Sequence, residues 1–128
     1  MRKLLLLFAL TPLLMAHTCE DDDYHRHHHP CTTEARAGIN VTVTLNGEAI
    51  TTPSGIVVTA RDGNYIEDLQ PIIPDTPTFS GAWERPGLYI VTVSKTGYQT
   101  YTSEPLPVHR DECHVIPEHL TINLVPNP

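Results

Sequence analysis

Two groups of residues in this chain have the types and spacing for chemistry. Near the N-terminus, His25, His27, His28 and His29 cluster around Arg26 and follow Asp21, Asp22 and Asp23. Imidazole and carboxylate are ligands for Zn, Cu or Ni, so the tract offers a metal-buffering role. A flexible tract lacks the fixed surroundings that orient a selective site, and the same residues suit a solvated spacer with incidental metal affinity. The second group is Cys19, Cys31 and Cys113. An odd number of cysteines leaves one without a disulfide partner in the chain and requires a separate fate for it.

The remaining candidates are single residues or loose series. His109, His114 and His119 recur at five-residue intervals, with Pro117 between the last two. On a strand that odd spacing alternates them between faces, so they are not expected to converge on one metal. Cys113 beside His114 invites a thiol nucleophile, but neighbours on a strand point to opposite sides. Trp83, the only tryptophan, stands just before Arg85-Pro86-Gly87. It is either partly buried packing beside a turn or an exposed platform on which a sugar ring stacks. The sequence contains no Gly-x-Ser-x-Gly, phosphate loop or paired-carboxylate motif, so neither catalytic residues nor a cofactor are expected.

The elements that carry these residues fall into three parts. Arg2 and Lys3 precede an apolar run from Leu4 to Ala16, interrupted only by Thr11 and Pro12. That run is shorter than the roughly 20 residues a membrane-spanning helix needs, and with its basic start it reads as a signal segment over 1–18. Loss of Arg2 and Lys3 leaves 6 basic residues (8 − 2) against 15 acidic ones, a formal charge of −9. Such a chain offers no footprint for phosphate backbones, so no nucleic-acid partner is expected. Residues 19–36 are polar and His-rich and read as a linker.

Cys19, just past the apolar run and before Glu20-Asp21-Asp22-Asp23, resembles the acylated cysteine of bacterial lipoproteins. The resemblance implies lipidation at Cys19 and a membrane-anchored place in the cell envelope. The residues before it are Ala16-His17-Thr18, and cleavage after Ala16 is the other processing site, giving a periplasmic or secreted form. Acylation of Cys19 leaves Cys31 and Cys113, which flank the domain and can form one disulfide in an oxidising compartment.

From Ala37 onward the patterning is that of strands. Ile39, Val41, Val43 and Leu45 alternate with polar residues, and Asn46-Gly47 signals a primed turn. Ile56 to Ala60 and Tyr65 to Leu69 form an expected hairpin about Asp62-Gly63. Pro71, Pro74 and Pro77 mark an irregular connection. Further strands are expected over Phe79 to Glu84, Leu88 to Ser94, Tyr98 to Ser103 and His114 to Leu124, with a type II turn at Arg85-Pro86-Gly87. Several short strands joined by turn chemistry predict an all-β fold, a single small antiparallel β-sandwich.

The stretch from Gly81 through Trp83, Val91, Val93 and Lys95-Thr96-Gly97-Tyr98 is similar to the carboxypeptidase regulatory-like family. Asp111 to Pro117 and Leu120 to Leu124 match its closing strand, so the resemblance covers about 37–125. It implies a transthyretin-like (prealbumin-like) sandwich and a non-catalytic accessory, adhesive or structural module. The expected function is therefore an exported envelope module. The alternatives are carbohydrate binding through Trp83 and metal buffering through the His-rich stalk, and the envelope protein or glycan partner is left open.

Overall fold

Alternation along the two longest strands sets what is buried in the computed structural model, which describes residues 30–128. The signal segment 1–18, Cys19 and the metal candidates His25, His27, His28 and His29 lie outside the described residues. In β1 (Ala37–Leu45) Ile39, Val41 and Val43 are fully buried, and Asn40, Thr42 and Thr44 stand between them toward the outer face. In β7 (Gly87–Lys95) Tyr89, Val91 and Val93 are fully buried in the same way. Period two directs each set to one side of its sheet, and the two sets meet as the core. Each side chain so buried contributes about 1.5–3 kcal/mol of transfer free energy.

The other strands are β2 (Glu48–Ala49), β3 (Ile56–Asp62), β4 (Tyr65–Asp68), β5 (Gln70–Pro71), β6 (Thr78–Trp83), β8 (Tyr101–Thr102), β9 (Leu106–Val108) and β10 (Glu118–Leu124). One sheet runs β10-β1-β6-β5, with β2 on the end of β1. The second runs β4-β3-β7-β8, with β9 also on β7. The fold is the expected small β-sandwich, and no helix occurs among the described residues. Leu69, 2% exposed, is the crossing point between β4 and β5, with its N–H bonded to the Val58 carbonyl at 2.8 Å.

One pairing departs from the antiparallel rule. β10 lies parallel to β1, with Ile39 opposite Glu118 and Leu45 opposite Leu124. Two parallel neighbours are entered from the same end of the sheet. The segments leading into β1 and β10 therefore run side by side, and Cys31 meets Cys113 there in a disulfide with a Cα–Cα distance of 5.2 Å.

Local turn chemistry explains most boundaries. Asn46 (φ 50°) and Gly47 (φ 82°) are both left-handed, as a primed hairpin turn requires. Other boundaries differ from the sequence expectation. Tyr98 to Ser103 contains only the two-residue β8, because Tyr98 N–H closes a turn on the Lys95 carbonyl at 3.0 Å. Gln99 N–H is then taken by the Val125 carbonyl at 2.9 Å, which fastens the C-terminal segment. The closing strand starts at Glu118, not His114. Residues before it fold on themselves through Asp111 N–H to His114 carbonyl (2.9 Å) and Ile116 N–H to His109 carbonyl (2.8 Å).

The predicted type II turn at Arg85-Pro86-Gly87 is replaced as well. Gly87 already belongs to β7, and the chain reverses one step earlier, with Arg85 N–H on the Ala82 carbonyl at 3.2 Å. The left-handed residues of this corner are Ala82 (φ 53°) and Glu84 (φ 50°). Gly38 of β1 passes close beneath it: a Cβ there would lie 2.9 Å from the Ala82 carbonyl oxygen and 2.8 Å from Val108 Cγ1. Only glycine lets the two backbones approach so closely.

Candidate functional site

Two polar arrangements occupy the end of the sandwich where the chain enters β1 and β10. The first is the junction between residues 31–36 and the 109–117 connection. Its centre is the Glu84 carboxylate, whose Oε1 accepts the Arg36 N–H at 2.7 Å and faces His114 Nδ1 at 2.9 Å. Oε2 accepts the Val115 N–H at 3.3 Å. The other ring nitrogen, His114 Nε2, is 2.9 Å from Thr32 Oγ1. A proton on Nδ1 toward the carboxylate leaves Nε2 of the neutral ring to accept the threonine hydroxyl.

Asp111 adds an Asx turn, its Oδ1 accepting the N–H groups of Cys113 and His114 at 2.8 Å each. Hydroxyl, imidazole and carboxylate stand here in the order nucleophilic hydrolases use. Their partners argue for a latch: the carboxylate also binds two backbone N–H groups from separate segments, and the disulfide lies next to Thr32.

Both carboxylates are held below their ordinary range. Glu84 is lowered from 4.5, first by the Arg36 N–H and also by the bond to His114, against an opposing desolvation. Asp111 is lowered from 3.8 by the N–H groups of His114 and Cys113. A folded value below the unfolded one adds stability that is present above the unfolded value and lost as pH falls through the folded one. Acid titration is therefore expected to loosen the junction below the ordinary carboxylate range, read as a shift in Trp83 emission and a falling Tm. Glu84→Gln should flatten that acid limb, and an unchanged limb would remove Glu84 from the linkage.

The second arrangement is the corner that carries Trp83. Two non-glycine residues in left-handed conformation bracket it, at a cost of about 1–2 kcal/mol each. Hydrogen bonds hold the corner in place. Glu67 Oε2 accepts the Ala82 N–H and the Tyr65 hydroxyl, each at 2.8 Å, and Glu84 N–H binds the Arg36 carbonyl at 3.0 Å. Arg85 is fixed by Asp62 (2.8 Å) and by the Tyr89 hydroxyl (2.7 Å), with its guanidinium 3.9 Å from the Tyr65 ring centroid. The bonds to Asp62, first, and to Tyr89 raise the guanidinium pKa. Burial, then the bond to Glu67, pushes the Tyr65 phenol up.

Trp83 itself is 45% exposed. It lines an open cleft of 470 Å³ with Glu34, Arg36, Asn40, Ile72 and His119 among its neighbours. Asn40 and Ile72 also line a second cleft of 240 Å³ that continues toward Thr78 and Ser80. The Ser80 hydroxyl donates to Asn40 Oδ1 at 2.7 Å, which leaves the Asn40 NH2 as a donor.

No family model, curated protein or solved structure matches this chain.

Of the residues singled out from sequence, Cys31 and Cys113 are joined, and Trp83 is at the surface. His109 and His119 are exposed and His114 is buried, and no group of three His, Cys, Asp or Glu residues suited to a metal is found among the described residues. The structure adds Glu84, Glu67, Thr32, Arg36 and Asp111. Only Asp111 carried a readable local signal, an aspartate two residues before the chain turns.

Proposed function

We propose that this chain is a non-catalytic cell-envelope module, lipid-anchored through Cys19, with the sandwich as an accessory or adhesive headpiece. The observation that carries this reading is the junction. The segment arriving from the N-terminal side is fastened to the domain by the Cys31–Cys113 disulfide, by Thr32 to His114 and by Arg36 to Glu84. A tethered headpiece needs such a fixed attachment, and a disulfide suits the oxidising envelope. The carboxylates of this end are engaged with backbone N–H groups: Glu84 with Arg36 and Val115, Asp111 with Cys113 and His114, Glu67 with Ala82. The all-β sandwich agrees with the accessory role that the family resemblance implies.

Mass spectrometry of the mature N-terminus tests the anchor. An acylated Cys19 is expected, with Cys19→Ala moving the protein from the membrane to the soluble fraction. A mature chain starting at an unmodified His17 would overturn lipid anchoring and leave a soluble secreted module.

A further inference from the structure

The Trp83 corner is built more rigidly than an incidental surface aromatic requires. Ala82 and Glu84 both sit at positive φ, a conformation that L-residues hold only when their surroundings impose it. Two carboxylates impose it here, Glu67 on the Ala82 N–H and Glu84 on the Arg36 N–H across the corner. The result is a tryptophan fixed beside the outer face of the first sheet yet 45% exposed. Strain that presents an apolar ring to water costs free energy in the isolated molecule, and a bound ligand is what would repay it.

We infer that the Trp83 trough binds a neutral oligosaccharide. This deepens the module reading by naming its ligand class and rests on that reading for the headpiece alone, not for the anchor. The ring offers a flat apolar surface for the C–H face of a sugar. Asn40, His119, Glu34 and Arg36 place donors and acceptors around it for hydroxyl groups. One acidic residue, Glu34, and one basic residue, Arg36, are among those lining it, so the lining carries no excess of either sign to select a charged ligand. Asn40 and Ile72 belong to both clefts, so the surface runs on from Trp83 toward Thr78 and Ser80 as an elongated track, suited to several successive sugar units. Because Asn40 and Trp83 sit on strands and the corner is braced, little freedom is lost on binding.

Trp83 is the only tryptophan, so its emission reports this site without labelling. The full-length protein is titrated with cellotetraose, chitotetraose, mannotetraose and laminaritetraose. Binding is measured in parallel by calorimetry. At least one sugar is expected to give a saturable change in Trp83 emission. Trp83→Ala should weaken that sugar at least about tenfold by calorimetry, while Trp83→Phe retains part of the affinity. His119→Ala, an exposed position whose change spares the corner, should also weaken it, and circular dichroism checks that each variant is folded.

Silence across all four sugars overturns the inference, as does undiminished binding by folded Trp83→Ala. Quenching by a proline-rich peptide in place of the sugars would make the trough a protein-docking site and equally overturn it. The two readings separate cleanly, because wild-type protein that binds sugar yet starts at an unmodified His17 defeats only the lipid-anchor claim.

Discussion

Replacing Cys31 and Cys113 together by serine is expected to lower the stability of the domain by about 4–5 kcal/mol. The bridge joins residues 82 positions apart, so it removes a large share of the open chain's freedom, and the gain grows with the logarithm of that loop. For a domain of this size each kcal/mol is worth roughly 4–8 °C in Tm, so a fall of some tens of degrees should follow. A change this large is a substantial part of the 5–15 kcal/mol that typically holds a domain together.

The noncovalent junction moderates the loss without replacing it. Thr32 with His114 and Arg36 with Glu84 still hold the segment when the sulfurs are gone, but the Thr32–His114 contact contributes only about 0.5–1.5 kcal/mol and the Glu84 side chain is partly open to solvent. Urea unfolding of the wild type with and without reductant should reproduce the effect of the double substitution. If both remove less than about 1 kcal/mol, then the noncovalent latch and residual order in the unfolded chain account for the attachment.

The strands were legible wherever alternation and turn chemistry agreed. Ile39, Val41 and Val43 in β1 and Tyr89, Val91 and Val93 in β7 announce their buried face by period two, and Asn46-Gly47 announces its turn. The parallel register of β1 and β10 was not legible. Nothing local distinguishes a final strand that runs with the first from one that runs against it, yet that register is what brings the two cysteines together.

The corner was hidden for a different reason. Arg85-Pro86-Gly87 has the composition of a type II turn, but the reversal falls on Ala82 and Glu84, neither of which favours a left-handed backbone. Long-range bonds decide it: Ala82 is held by a glutamate 15 positions away, and Arg36 reaches Glu84 across 48. Trp83 was visible as a residue from the outset, but its bracing by Glu67 and Glu84 could come only from the assembled sheets.

Tyr89→Ala should be the most damaging single substitution in this end of the core, at about 3–5 kcal/mol, because it empties a fully buried aromatic site. The ring stands edge-on to Tyr65, with centroids 6.4 Å apart. Its hydroxyl donates to the Arg85 carbonyl at 3.0 Å and accepts from Arg85 Nη1 at 2.7 Å. Tyr89→Phe separates the two contributions. It keeps the ring and deletes both bonds, leaving the Arg85 carbonyl and guanidinium short of a partner, and should cost about 1–3 kcal/mol. Arg85 retains Asp62, so the smaller change leaves the domain folded. Arg85 also closes the turn onto Ala82, so the phenylalanine variant should alter the emission of Trp83 two positions away, whereas a purely volumetric role for Tyr89 would leave it unchanged. Measured side by side in urea, equal losses for Phe and Ala would mean that the hydroxyl, rather than the ring, carries the site. A phenylalanine variant indistinguishable from wild type in both stability and emission would detach Arg85 from the positioning of Trp83.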